Sequence, residues 1–283
     1  MLGALIIVFR EVIEAGIIVG IVMAVTKGLR GSRLMAGAGV AAGVLGAGLV
    51  AAFAGVIAET LNGFGQELFN AAILSLAVCM LAWHNIWMAS HGRELAAEAR
   101  KLGQEVRSGA RSLVALAIVI AVAVMREGSE VALFLYSLVA AGGATARDLV
   151  IGSLLGLVAG VAVSAVTYFG LVTIPARRLF AVTSALITFL AAGLASQAVS
   201  FLQQAGFVSA WRWGDTAWDT SAILSDTSLF GRVLHTLVGY ADQPSVLQVV
   251  VYAGTLATIF ALSKAFAPRA VARPPEAPAP QRG

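Results

Sequence analysis

Two short clusters in this chain bring together side chains able to bind a cation: Arg10, Glu11 and Glu14, and again Arg126, Glu127 and Glu130. Each reads Arg-Glu-x-x-Glu, and each falls inside a long apolar run rather than at its end. On a helix of 3.6 residues per turn, Arg10 and Glu14 stand about 40° apart and Glu11 and Glu14 about 60° apart, so the three charges share one face. The second cluster repeats the arrangement. An ionised side chain at the centre of a bilayer costs roughly 2.5–3.5 kcal/mol on insertion scales, so six of them require pairing and a polar pathway. An ion pair that only fastens two helices accounts for one glutamate per arginine. It leaves a second glutamate over in each cluster, an excess of two negative charges when all are ionised. A cationic ligand would offset that excess.

Carboxylate oxygens suit hard cations such as Mg²⁺, Ca²⁺, Mn²⁺ and iron, and glutamates from facing helices hold the metals of di-iron carboxylate bundles. Neither thiolate nor histidine accompanies the clusters in sequence, which disfavours zinc and copper(I). Membrane carboxylates also serve as proton relays, so a proton-coupled carrier is the alternative reading. A membrane-embedded metalloenzyme would use the same carboxylates, but no His-Glu-x-x-His or similar catalytic motif supports it. The expectation is a transporter and not an enzyme, without a prosthetic group.

The elements that must position these residues are legible in the composition. Of 283 residues, 59% are hydrophobic and 12% charged, and the mean hydropathy is +0.88. Soluble domains carry roughly 25% charged residues. Apolar runs at 2–26, 34–57, 68–90, 113–141, 148–172, 179–203 and 246–266 are each long enough for a bilayer core of about 30 Å. Lipid offers no partner to free backbone groups, so these are expected to be helices. The fold class is therefore an all-α integral membrane protein with seven transmembrane helices. The start lacks a basic n-region, and charges interrupt its apolar stretch, so the first segment is expected to stay in the mature protein. The lone Cys79 excludes a disulfide or multi-thiolate site within one chain.

Charge orients the spans. Basic residues gather at 27–33 (Lys27, Arg30, Arg33), at 91–112 (Arg93, Arg100, Lys101, Arg107, Arg111), at Arg177 and Arg178, and in the tail. The alternate loops hold only Arg147, Arg212 and Arg232. The positive-inside rule then puts the N-terminus outside and the C-terminus in the cytoplasm of an inner membrane. The net charge of +4 is thus orientation information, and no nucleic-acid partner is implied; the partner surface is membrane lipid.

The two motifs align at an offset of 116 residues, and Gly39 and Gly43 align with Gly156 and Gly160 at an offset of 117. Leu68-Phe69 and Leu179-Phe180 open the third span of each half. The sequence reads as a three-helix unit at 1–90, a connecting helix at 91–112, and a second unit at 113–203. An external segment at 204–245, a seventh helix at 246–266 and a disordered tail at 267–283 follow. An odd number of spans per unit inverts the second, the architecture of many secondary transporters with a site near the midplane.

The repeated motif resembles the Arg-Glu-Gly-x-Glu motif of the oxidase-dependent iron transporters, the high-affinity iron permeases of fungi and bacteria. Asp219-Thr220-Ser221-Ala222-Ile223-Leu224, Ser228-Leu229-Phe230-Gly231, Gly239-Tyr240 and Pro244-Ser245 resemble that family's external stretch. Glu67-Leu68-Phe69 and Leu81-Ala82-Trp83 resemble its third span. The chain departs from the pattern at Val12, where the family has Gly, and at Asn70, where a Glu often stands. The resemblance implies that Glu11, Glu14, Glu127 and Glu130 ligate iron as the transported substrate, with Arg10 and Arg126 tuning them. It also implies a periplasmic or membrane oxidase, or an iron-delivery partner. Asp219 and Glu67 are auxiliary candidates for an outer acidic vestibule, and His84 is an auxiliary candidate for metal contact. Another divalent cation, Mn²⁺ or Pb²⁺, remains the rival cargo.

Overall fold

Apolar runs broken by Gly- and Ser-bearing turns fold into helices where the hydropathy pattern predicts them. The computed structural model describes residues 1–61, 66–142, 145–170, 176–207 and 214–266. The expected tail at 267–283 lies outside these residues. In chain order the helices are α1 (Leu2–Val25), α2 (Ser32–Leu61), α3 (Gln66–Arg107), α4 (Leu113–Ala140), α5 (Ala146–Tyr168), α6 (Ala176–Gln204), α7 (Leu229–Val238) and α8 (Val246–Ala265). No strand occurs among the described residues, only an isolated bridge between Thr216 and Ser245.

Helix ends follow local chemistry. Ser112, Thr145, Ser228 and Ser245 each accept a backbone N–H at the start of α4, α5, α7 and α8. Gly28 and Gly31, both in the left-handed region, turn the chain from α1 into α2.

Each of the seven expected spans lies on a helix, α1 to α6 and α8. Five stretches, in α2, α3, α5, α6 and α8, are long and apolar enough to cross a membrane. The helices α1 and α4, at 24 and 28 residues, are as long but carry three charged residues apiece, the residues of the two motifs.

Two features differ from the sequence reading. The charged stretch 93–107 is the last part of a 42-residue α3. Its apolar side chains Ala99, Leu102 and Val106 pack with Val22, Ala36, Leu116 and Ile120. Three apolar residues on one side at helical spacing bury that face despite the charges opposite. The stretch expected to be an external segment contains α7, which starts at a Ser cap and ends at Gly239 in the left-handed region.

Glycine rows set the helix pairing. A Cβ on Gly156 would sit 2.5 Å from the Leu5 carbonyl, and one on Gly160 2.8 Å from Val12 Cβ. Further along, Gly16 of α1 faces Ser164 of α5. The contacts advance together along both chains, so α1 and α5 run parallel. In the same way a Cβ on Gly39 would sit 2.5 Å from the Ala117 carbonyl and one on Gly43 2.7 Å from the Ala121 carbonyl, making α2 and α4 parallel. Such rows bring backbones into contact where no apolar driving force separates helix from lipid. The remaining main contacts join α3 to α6, α6 to α8, and α1 to α3 and α4. An apolar core of Ile7, Leu74, Leu81, Phe134 and Ile187 closes one end of this bundle.

Candidate functional site

Because α1 packs on both α3 and α4, the charged faces of α1 and α4 meet around one residue of α3. That residue is His84, itself only 4% exposed. Its Nε2 lies 3.3 Å from Glu14 Oε2 and 3.9 Å from Glu11 Oε2, and its Nδ1 is bonded to Glu130 Oε2. One imidazole thus bridges the two motifs. A neutral ring has a single N–H. Two carboxylates against two ring nitrogens therefore require an imidazolium donating twice, or a carboxylic acid donating to one nitrogen.

The arginines treat their glutamates differently. Arg10 is fully buried and donates Nη1 to Glu11 Oε1 at 3.1 Å, with Nη2 2.9 Å from Glu14 Oε1. Arg126 contributes only Nε, 3.4 Å from Glu130 Oε1 and 3.9 Å from Glu127 Oε1. Its guanidinium instead lies over the Trp87 ring, 4.5 Å from the centroid.

The arrangement leaves buried acceptors over. Glu11 Oε2 and Glu127 Oε2 have no hydrogen-bond partner among the described residues. Such an atom costs about 1–3 kcal/mol, and more when it carries charge. Ligand atoms of Glu11, His84, Glu127 and Glu130 all lie within 4.8 Å of one another, close enough for one ion to draw them together. Three carboxylates and an imidazole make a mixed hard and borderline donor set, which suits first-row divalent iron or manganese. Beside the cluster, a cavity of about 630 Å³ opens between α1, α2, α4 and α5, apolar except where Glu11, Glu127 and Ser164 line it.

The structure therefore brings Arg10, Glu11, Glu14, His84, Arg126, Glu127 and Glu130 together. Glu67 and Asp219 stand apart. Glu67, exposed in the first turn of α3, is 17 residues from His84, or about 25 Å along the helix axis. Asp219 accepts from Ser221 N–H and hydroxyl and from Gln243. These donors hold its carboxyl below the ordinary range. The sequence ranked His84 as auxiliary; its neighbour Asn85 was a signal, since Asn85 donates to Thr188 Oγ1 at 3.0 Å and pins α3 to α6. The aromatic support of Arg126 by Trp87 carried no legible signal.

The model of the iron permease FTR1 family matches residues 1–271. The ferrous iron permease EfeU of Yersinia pestis is 33% identical over 251 residues, covering 87% of each chain. The ferrous iron permease EfeU of Shigella sonnei is 31% identical over 260 residues, covering 87% of this chain and 89% of its own. No solved structure matches the chain.

Proposed function

This chain belongs to the iron permease FTR1 family, and we propose that it imports iron through the carboxylate–histidine cluster between α1, α3 and α4. One observation carries the reading: donor atoms from both motifs and from His84 converge within 4.8 Å, with the buried Oε2 atoms of Glu11 and Glu127 among the carboxylate oxygens left without a hydrogen bond. The relatives are named ferrous iron permeases, which favours Fe²⁺ as cargo. The ion exchanges water for glutamate and imidazole ligands and leaves when the helices rearrange.

The same reading includes seven membrane crossings, an inverted repeat, an external N-terminus and a cytoplasmic C-terminus in the bacterial inner membrane. The helix pairing supports it. The first helix of each three-helix unit packs in parallel on the second helix of the other, α1 on α5 and α4 on α2. Two inverted units related by an axis in the membrane plane make such exchanged pairs. An oxidase or iron-delivery partner on the outer side completes the proposal, on the strength of the motif resemblance.

Whole-cell uptake of ⁵⁵Fe tests the site. Glu14→Gln and Glu130→Gln, each present in the membrane at normal levels, are expected to abolish uptake. Near wild-type uptake by both refutes the site, and competition by Mn²⁺ or Pb²⁺ in place of iron reassigns the cargo.

A further inference from the structure

Arg10 and Arg126 hold the same place in their motifs yet are held in opposite ways. Arg10, 1% exposed, turns two guanidinium nitrogens onto its own glutamates. Arg126, 38% exposed, centres its guanidinium over the Trp87 ring and has Nε 3.4 Å from Glu130 and 3.9 Å from Glu127. Trp87 is in turn stacked on His91, centroids 5.0 Å apart and planes within 10°, so the indole has a fixed platform on α3. A guanidinium centred over an indole is attracted by the ring's negative face. Held there, Arg126 stands farther from its glutamates than Arg10 does, at 3.4 and 3.9 Å against 2.9 and 3.1 Å.

We propose that Trp87 is a positioning residue that withdraws Arg126 from the second motif and so keeps Glu127 and Glu130 available to the metal. Four glutamates face two arginines in the cluster, and the ion pairs of the first motif are the shorter ones. With Trp87 removed, Arg126 is free to swing onto Glu127 and Glu130 as Arg10 does onto Glu11 and Glu14. A bidentate arginine then competes with the cation for the same oxygens. Trp87 thus acts on affinity through Arg126.

The inference rests on the cluster being the iron site, and equilibrium binding of Fe²⁺ to the purified full-length protein under reductant separates the two. Binding that is lost in Glu14→Gln establishes the site; wild-type binding that Glu14→Gln leaves unchanged overturns the site and the role of Trp87 together. Given that loss, Trp87→Leu is expected to weaken Fe²⁺ binding roughly tenfold, the scale of outer-sphere changes at metal sites. Trp87→Phe keeps an aromatic face and is expected to stay near wild type. In an Arg126→Gln background, Trp87→Leu is expected to have no further effect, because the competing guanidinium is gone. Equal weakening by Trp87→Leu in both backgrounds, or no weakening in either, overturns the proposal. The double variant guards against a packing defect, since a defect in folding persists whatever stands at residue 126.

Discussion

Glu11 on α1 and Glu127 on α4 occupy the same place in their motifs, and each keeps a buried Oε2 with no hydrogen-bond partner among the described residues. Their other oxygens face Arg10 at 3.1 Å and Arg126 at 3.9 Å. Both carboxylates also line the same cavity. Two matched buried acceptors without partners are unfavourable on their own and useful for holding a cation. Glu11→Gln and Glu127→Gln preserve side-chain volume while removing the charge. Each is expected to reduce ⁵⁵Fe uptake by roughly 10- to 100-fold at unchanged membrane abundance. A variant that transports within twofold of wild type removes that glutamate from the ligand set.

His84 makes the site sensitive to acid. A metal takes neutral imidazole and ionised carboxylate, so the proton shared between His84 and its glutamates must leave on binding. Protons and iron therefore compete, and affinity falls as pH falls, by about tenfold per unit when one proton is displaced. His84→Gln removes both the ligand and the shared proton, and is expected to bind Fe²⁺ more weakly with a flatter pH slope. Titration of the purified protein with Fe²⁺ in weakly buffered solution reads the same event as released acid. Absence of proton release in the wild type contradicts the ligand role of His84.

The two motifs were legible in sequence because helical spacing alone puts Arg10, Glu11 and Glu14 on one face, and the structure turns that face toward its counterpart on α4. The place of His84 was not legible. Its relation to Glu14 and Glu130 depends on how α3 is rotated against α1 and α4, and Leu74 and Leu81 fix that rotation by packing in one core with Ile7 and Phe134, contacts between distant parts of the chain. The junction of the connecting helix with the third span was not legible. The stretch 93–107 holds seven charged side chains in fifteen residues, yet Ala99, Leu102 and Val106 are enough to continue α3 along the bundle. The helix α7 had visible caps at Ser228 and Gly239, but ten residues between them are too few for a hydropathy pattern to stand out.

Glycine contacts between α2 and α4 set the depth and rotation of Glu127. A Cβ on Gly43 would lie 2.6 Å from Val124 Cβ and 2.7 Å from the Ala121 carbonyl, whereas Gly48 on the same helix has nothing within 4 Å. Gly43→Ala is therefore expected to lose about 1–3 kcal/mol through overpacking. Gly48→Ala is expected to stay within about 0.5 kcal/mol of wild type, as surface changes do. Thermal unfolding in detergent separates the two. Iron uptake by Gly43→Ala should fall as well, because its clash lies one turn from the second motif. Equal stability of both variants contradicts the close approach of α2 to α4.

Asp219 and Glu67, the candidates for an outer vestibule, act at a distance if they act on iron. The Asp219 carboxyl is held below its ordinary range by Ser221 and Gln243, so it remains ionised at any pH above the usual aspartate range. Fixed negative charge at the mouth of a transport pathway raises the local cation concentration and the encounter rate. Salt screens that attraction, with a Debye length of about 8 Å at physiological ionic strength. Asp219→Asn combined with Glu67→Gln is expected to lower the initial uptake rate about two- to fivefold at low ionic strength, a modest share of the range that steering can supply. The deficit should vanish when neutral salt is added at constant osmolarity. A loss that persists at high salt would instead assign one of these carboxylates direct contact with the ion.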